Sequence, residues 1–144
     1  GKLTQIVSGN TDTNNMDGNL GALQSPDNIC VTENFVYIQE DPNSFSRGHS
    51  AYIYQSDLNG QNIQHVLELI VRQDLDPDNS TGFSGEFGSL IDVSDKIGEP
   101  GTFLLAVQPH YWESSDFMNL DGHTNADRED DQASQIVLLR GLPR

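Results

Sequence analysis

Acidic and amide side chains flank two short β-type runs in the stretch SPDNICVTENFVYIQED, residues 25–41. Asp27 and Asn28 stand at the start of the run NICV, whereas Glu40 and Asp41 follow the run FVYIQ. Their carboxylate and amide oxygens are hard ligands of the kind that Ca²⁺ collects, about six to eight at a time. Asp27 and Asn28 therefore indicate a calcium site if other carboxylates meet them, although an Asx-turn that caps the strand explains the same pair.

The charge balance favours cations over anions as partners. Seven Lys and Arg face 22 Asp and Glu, which gives a formal net charge of −15. A surface this negative repels phosphate backbones and anionic membranes, which argues against nucleic-acid binding by counterion release. Divalent-cation binding and simple solubility, as in many secreted proteins, both remain as explanations of the acidity.

The sequence lacks the motifs of several other kinds of functional site. Cys30 is the only cysteine and lies in an apolar run, so we expect a buried structural thiol and no disulfide. The four histidines show no HxH or HExxH spacing, and neither a GxSxG elbow nor a GxxxxGK loop occurs. No apolar run approaches the length of about 20 residues that a membrane span needs, and GKLTQIV does not resemble a signal peptide.

Period-two patterns of β-branched and aromatic residues predict an all-β fold without a confident helix. Asn-Gly at residues 59–60 is a strong hairpin signal, so the runs on either side of it should pair antiparallel. Eight strands are predicted in all, over residues 3–7, 28–31, 35–39, 51–56, 65–71, 89–93, 103–108 and 135–140.

These strands group into antiparallel four-stranded units that match a β-propeller blade of about 45 residues. Residues 25–72 supply a complete blade, residues 1–24 a leading strand and loop from a preceding blade, and residues 73–144 a partial last blade with an acidic loop. Since a propeller closes with about four to eight blades, these about two blades form an incomplete ring. Either the chain is part of a longer propeller, or the leading strand of one copy completes the last blade of another.

Two acidic loops, residues 74–80 and 119–135, also carry oxygen ligands. The longer loop does not meet EF-hand spacing, because the glycine at the sixth position and the glutamate at the twelfth are missing. Both loops are interpreted either as solvated acidic loops or as calcium sites.

Several segments together resemble the C-terminal half of PhoX-type alkaline phosphatases. They are SPDNICVTENFVYIQED, SAYIYQSDLNG, HVLEL and GEFGSLIDVSDKIGEPGTFLLAVQPHYWE, and the resemblance covers most of residues 20–112 and again 134–144. It implies a β-propeller that is secreted to the periplasm or the cell exterior. Its axial pocket would hold calcium with iron and hydrolyse phosphate monoesters.

The resemblance also implies which residues face the metals, while it assigns no catalytic residue in this chain. Because the upstream half of the family is absent, we expect part of a metal site, an inactive isolated segment, and the remainder of the propeller or other copies of the chain as partners. The alternative is a non-catalytic extracellular assembly subunit that polymerises by strand complementation between copies. The implied metal-facing residues are Asp27, Asn28 and Glu86, then Glu40 and Asp41, with His110 as a second-tier candidate.

Overall fold

The structure is a computed structural model that describes residues 1–11, 14–41, 49–70, 85–108 and 134–144. Within these ranges the chain forms seven strands and one short helix, which confirms the predicted all-β class. No helix in these ranges has the length and apolar character that crossing a membrane requires. The elements are β1 (Pro26–Val31), β2 (Phe35–Glu40), β3 (Tyr52–Asp57), β4 (Gln64–Glu68), β5 (Glu86–Asp92), α1 (Ser94–Ile97), β6 (Thr102–Gln108) and β7 (Gln135–Arg140).

The first sheet is the antiparallel meander β1-β2-β3-β4, as the strand and turn patterns predict. The β1–β2 turn is closed by Thr32, whose backbone N–H donates to the carbonyl of Phe35 at 2.9 Å. In the β3–β4 turn the carboxylate of Asp57 accepts the backbone N–H of Asn59 at 2.9 Å. Gly60 follows with a φ of +74°, a conformation that glycine adopts without a steric penalty.

The second sheet is the antiparallel meander β5-β6-β7. Its first connection contains α1, which starts where Asp92 Oδ1 accepts hydrogen bonds from the Ser94 backbone at 2.9 Å and hydroxyl at 2.6 Å. The helix ends at Gly98, whose φ is +76°. The sequence pattern does not reveal α1, since four residues are too few to form an apolar stripe.

The two sheets pack face to face on the main hydrophobic core. The rings of Tyr37 and Phe103 meet edge to face across the interface at a centroid distance of 5.6 Å. Burying each large apolar side chain stabilises the fold by about 1.5–3 kcal/mol. The buried members are Cys30, Tyr37, Ala51 and Ile53 from the first sheet side, and Phe87, Leu90, Phe103 and Leu105 from the second.

Residues 1–24, which we call the N-terminal segment, contribute to a second core on the outer face of the first sheet. Leu23 is buried there, and Val7 and Leu20 pack against the same cluster. Val36 and Ile38 supply the sheet side, one residue out of phase with Tyr37, as the period-two alternation requires.

The predicted strand over residues 3–7 does not form in this chain. No strand of the described residues lies beside residues 3–7. The backbone here is bonded instead by a side chain from a loop of the same N-terminal segment. Ile6 accepts a hydrogen bond from the Asn19 side chain at 3.0 Å, and the Ser8 N–H donates to Asn19 Oδ1 at 2.7 Å. The segment also passes over the β3–β4 turn, where a Cβ on Gly60 would lie 2.5 Å from the Ile6 carbonyl oxygen.

Several strand boundaries differ from the prediction by one or two residues, among them the start of β1 at Pro26 rather than at residue 28, and two differ by three residues. β5 begins at Glu86 rather than at residue 89, because a β-bulge between Phe87 and Leu90 lets the ladder continue through Gly88. β4 ends at Glu68, whereas the predicted strand runs to residue 71, which lies outside the described residues.

The residues after β7 join the two sheets. The hydroxyl of Tyr37 donates to the carbonyl of Pro143 at 2.5 Å, and the Asn34 side chain donates to the carbonyl of Arg144 at 2.6 Å. The guanidinium of Arg144 bonds Asp92 at 2.7 Å. The described strands close neither a barrel nor a propeller, so the assignment of the sheets to blades stays a prediction.

Candidate metal centre at the acidic end

β5 of the second sheet packs against the β1–β2 hairpin of the first sheet. Asp92 ends β5 and lies against Cys30, near the end of β1; burial raises the pKa of this thiol, while the Asp92 backbone hydrogen bond opposes the rise. Since Pro26 pairs with Glu40, the start of β1 and the end of β2 lie side by side, and Glu86 starts β5 at the end of that strand opposite to Asp92. We call this the acidic end, defined by Asp27, Asn28, Gln39, Glu40, Asp41 and Glu86.

Asp27 is the extra residue of a β-bulge. Pro26 pairs with Glu40 and Asn28 pairs with Gln39, so Asp27 has no partner of its own in the β1–β2 ladder. Asp27 is exposed, and its carboxylate accepts a hydrogen bond from the side chain of Asn28. Bulges concentrate at functional sites because they redirect a side chain without ending the strand.

The backbone on either side of this bulge is held in place. Ser25 adopts a φ of +42°, which is uncommon for a residue with a side chain. Its carbonyl accepts the N–H of Asp41 at 3.0 Å, which joins the entry to β1 with the exit from β2. Asp41 is half-buried at this position.

Glu86 begins β5 at the same end, half-buried and opposite Gln108 in the β5–β6 ladder. The β5 bulge follows directly, and there a Cβ on Gly88 would lie 3.2 Å from the Cβ of Ala106. Both strands that carry the implied ligands are therefore irregular close to those ligands. Each of the two sheets therefore has an irregular strand close to an implied ligand.

Gln39 faces the interior between the sheets at the acidic end. It has the same parity in β2 as Tyr37, and it lies directly opposite Asn28 in the ladder, so the two amides share one face. Its side chain is 0% exposed, and neither its oxygen nor its nitrogen has a hydrogen-bond partner in the described structure. A buried polar group without a partner costs about 1–3 kcal/mol.

Glu40 lies at the same end but faces the opposite side of the sheet. It is 0% exposed. Its Oε1 accepts the N–H of Gln24 at 2.7 Å and its Oε2 accepts the N–H of Tyr52 at 2.9 Å. Glu40 thus binds the N-terminal segment to the start of β3, whereas Asn28 faces the other sheet. Asn28 and Glu40 therefore share an end of the fold but not a face of the sheet.

An aromatic stack beside Glu40 was not foreseen from the sequence. His49 stacks on Tyr52 with centroids 4.1 Å apart, and His65 stacks on the same ring at 4.8 Å. Nδ1 of His49 lies 3.7 Å from a Glu40 oxygen and 2.7 Å from the Ser50 carbonyl oxygen. Burial raises the pKa of Tyr52, with smaller contributions from nearby carboxylates. The only sequence signal for this stack is the alternation of side chains along β3, which places Tyr52 on the outer face of the first sheet.

Tyr54 lies in the outer core next to this stack, with 3% of its surface exposed. Burial raises the pKa of its hydroxyl, and the charge of Glu40 adds to the rise. The hydroxyl has no hydrogen-bond partner in the ranges that the structure covers. Tyr54 is therefore neutral at physiological pH and contributes through its ring.

The described side chains do not by themselves make a complete metal site. Among them, no three His, Cys, Asp or Glu residues lie close enough together to hold a metal ion. His110 and the two acidic loops lie outside the described residues. The described candidate ligands at the acidic end, apart from the bonded carboxylate of Glu40, are therefore the oxygens of Asp27, Asn28, Asp41 and Glu86.

Comparisons with known proteins leave this description unchanged. No family model, curated protein or solved structure matches the chain. The class of protein that the fold defines is an all-β protein whose described strands form two packed antiparallel sheets, of four and three strands.

Proposed function

We propose that the chain is a segment of a secreted, calcium-dependent metallophosphatase of the PhoX type, built from β-propeller blades. The observation that supports the proposal is the packing of β5 against β1, with Asp92 at the end of β5 against Cys30 near the end of β1. We infer from this contact that the bulged start of β1, with Asp27 and Asn28, lies at the same end of the fold as Glu86 on the second sheet. Two inner strands that start at one end are what adjacent propeller blades would provide.

The donor set at this end fits calcium better than other metals. Carboxylate and amide oxygens are hard ligands, and Ca²⁺ accepts them in irregular geometry. Further ligands would come from the remainder of the propeller or from another copy of the chain. Bound calcium would supply positive charge for phosphate oxygens and for the charge that develops during transfer of the phosphoryl group.

Cys30 does not fit an iron site at this end. It is buried near the opposite end of β1, and burial raises the pKa of its thiol, which disfavours the thiolate that metals bind. The iron of the proposed family would therefore need ligands from elsewhere in the protein.

Calcium titration of the chain tests the ligand assignment. We expect Asp27→Asn and Glu86→Gln each to weaken calcium binding by at least about tenfold in calorimetry, because each removes a charged ligand. The control is Glu33→Gln, which removes an exposed carboxylate in the β1–β2 turn at the opposite end. Equal affinities in all three variants would reject the site.

Phosphatase activity requires a separate test in the longer protein that the resemblance implies. We expect hydrolysis of a chromogenic phosphate ester that stops when calcium is chelated and returns when it is restored. Absence of metal-dependent turnover there would reject the enzyme but not the calcium site.

A second candidate function is assembly by strand complementation between copies. β7 pairs only with β6 in the described structure, so its other edge carries unpaired backbone groups. Its outer face is apolar, with Ile136 77% exposed and Leu138 40% exposed. In the N-terminal segment Leu3 is 100% exposed and Ile6 40% exposed. For residues 3–7 of a second copy to pair with this edge, Ile6 and Val7 would have to leave the contacts that they make within their own chain.

Sedimentation over a concentration series tests the assembly. We expect larger species at high concentration, promoted by salt because a net charge of −15 opposes association. Leu3→Asp should abolish them, whereas Leu58→Asp, at an exposed leucine in the β3–β4 turn, should not. A monodisperse monomer under all these conditions contradicts the proposal.

A further inference from the structure

The Asn59–Gly60 peptide in the β3–β4 turn has a chemical reactivity of its own. It is the only Asn-Gly pair in the sequence. In such a pair the backbone nitrogen of glycine attacks Cγ of asparagine, because glycine has no side chain to hinder the approach. The N–Cγ bond forms, the Cγ–Nδ2 bond breaks, and Nδ2 leaves as ammonia with the amide proton. Water then opens the succinimide ring at either carbonyl, which gives aspartate or isoaspartate.

The structure exposes one partner of this reaction and buries the other. Asn59 is exposed, whereas Gly60 is buried. The Gly60 N–H donates to the carbonyl of Asp57 at 3.0 Å, so the proton that has to leave is already bonded. One carboxylate oxygen of Asp57 also accepts the backbone N–H groups of Asn59 and Gln61, both at 2.9 Å. Closure of the succinimide ring therefore requires the turn to open.

The N-terminal segment lies on this turn and opposes its opening. A Cβ on Gly60 would lie 2.5 Å from the carbonyl oxygen of Ile6 and 2.9 Å from its Cβ, so Ile6 packs directly on the glycine backbone. The same Ile6 carbonyl accepts a hydrogen bond from the Asn19 side chain at 3.0 Å, and the Ser8 N–H donates to Asn19 Oδ1 at 2.7 Å. Asn19 thus holds the stretch that covers Gly60.

We propose that Asn59 is a deamidation site that the docked N-terminal segment protects, and that its isoaspartate product prevents the segment from docking again. Isoaspartate adds a methylene group to the backbone, so the N–H groups that follow residue 59 lose their register with Asp57. The product also places a carboxylate in the turn that the carboxylate of Asp57 closes. Repulsion between the two charges opposes the closed turn. Release of the segment permits the modification, and the modification makes the release irreversible.

The rate of deamidation measures the protection. Wild-type protein is incubated in mildly alkaline buffer, folded and in urea, and peptide mapping with mass spectrometry follows aspartate and isoaspartate at position 59. We expect the folded chain to deamidate at least about tenfold more slowly than the unfolded chain, since the reaction proceeds from the minor population in which the turn is locally open. Equal rates in the two states would overturn the protection.

Asn19→Ala tests whether the segment provides this protection. It removes the side-chain bonds to Ile6 and Ser8 and changes nothing in the turn itself. We expect Asn59 to deamidate about fivefold faster in the folded variant, the effect of one hydrogen bond on the opening equilibrium. The matched control Asn34→Ala removes a side-chain bond to the carbonyl of Arg144, outside the segment, and should keep the wild-type rate. An Asn19→Ala rate equal to that of wild type would overturn the role of the segment.

The modified protein tests the effect of the product. Hydrogen exchange in residues 1–24 should be faster in the isoaspartate form, purified from aged wild-type protein, than in fresh protein. Asn59→Asp adds the charge without the methylene group and should accelerate exchange less. Asn59→Gln closes the corresponding larger ring far more slowly, so exchange in this variant should not change on ageing. Exchange in the isoaspartate form as slow as in fresh protein would overturn the effect of the product on docking.

Discussion

Asp92 and Arg144 form a hydrogen-bonded ion pair in which Nε of Arg144 lies 2.7 Å from Oδ2 of Asp92. The pair connects the end of β5 with the tail whose Pro143 carbonyl accepts the Tyr37 hydroxyl. Burial acts to raise the pKa of Asp92, but hydrogen bonds from Ser94 and Arg144 and the charge of Arg144 outweigh it, and the pKa lies below its ordinary value. The charged form of Asp92 therefore stabilises the connection between the sheets.

This pair predicts a pH dependence of stability. Because the pKa of Asp92 is lower in the folded than in the unfolded chain, its contribution is complete above the unfolded value of about 3.9. The contribution declines as the pH falls through the folded pKa. Urea unfolding of wild-type protein and Asp92→Asn should therefore differ by about 1 kcal/mol at pH 6 and converge toward pH 2. A constant difference over this range would contradict the role of the charge.

Asp95 provides the control for this prediction. It also bonds Arg144, at 2.8 Å, but its side chain is 82% exposed. Exposed ion pairs contribute little, so Asp95→Asn should change the free energy of unfolding by less than about 0.5 kcal/mol.

Two buried tyrosines should respond oppositely to the same substitution. The Tyr37 hydroxyl donates to Pro143 and accepts from Gln55, so Tyr37→Phe should lower the free energy of unfolding by about 1–3 kcal/mol. The Tyr54 hydroxyl has no partner in the described structure, so Tyr54→Phe should be neutral or raise it by up to about 1 kcal/mol. Urea unfolding of both variants measures the contrast, and equal losses would show that Tyr54 is bonded in solution.

Glu40 should control how firmly the N-terminal segment is held. Glu40→Gln keeps the shape but turns an NH₂ group toward the backbone N–H of either Gln24 or Tyr52, at a cost of about 1–3 kcal/mol. Hydrogen exchange should become faster around residues 20–24 before it does in β5–β7. The control Glu68→Gln changes an exposed carboxylate in β4 and should leave exchange unchanged.

Two glycines separate backbone strain from steric contact. Gly60 and Gly98 have nearly equal φ values, +74° and +76°, but nothing lies within 4 Å of a Cβ at Gly98, whereas one at Gly60 collides with Ile6. Gly98→Ala should cost about 1–2 kcal/mol from strain alone. Gly60→Ala should cost more in thermal unfolding and should also release the N-terminal segment, detected as faster proteolysis there. Equal costs would mean that the segment is not held at this turn.

The first sheet could be predicted from the sequence because two independent signals agree along it. The apolar alternation through Val36, Tyr37 and Ile38 sets the strand, and turn residues such as Gly60 set the pairing. Residues 3–7 show the same alternation, but the sequence close to them contains no second strand with which they could pair. A β-strand needs a neighbouring strand to bond its backbone groups, and the local sequence pattern does not show whether such a strand is present.

The candidate site was predictable only in its residue types. Alternation places Gln39 on the same face as Tyr37, but it does not tell which sheet covers that face or that the amide stays unpaired. The contacts of Glu40 depend on Gln24 and Tyr52, which come from other parts of the chain. Asp27 breaks the alternation, and a bulge of one residue leaves no local signature beyond its flanking proline.

Asp27 is a candidate metal ligand that takes no part in the pairing of the strands around it. Since Pro26 already pairs with Glu40 and Asn28 with Gln39, the ladder would continue without interruption if position 27 were deleted. The β1–β2 ladder therefore does not require a residue at position 27. A related chain that is one residue shorter at this point would therefore keep the strand pairing but lack the carboxylate.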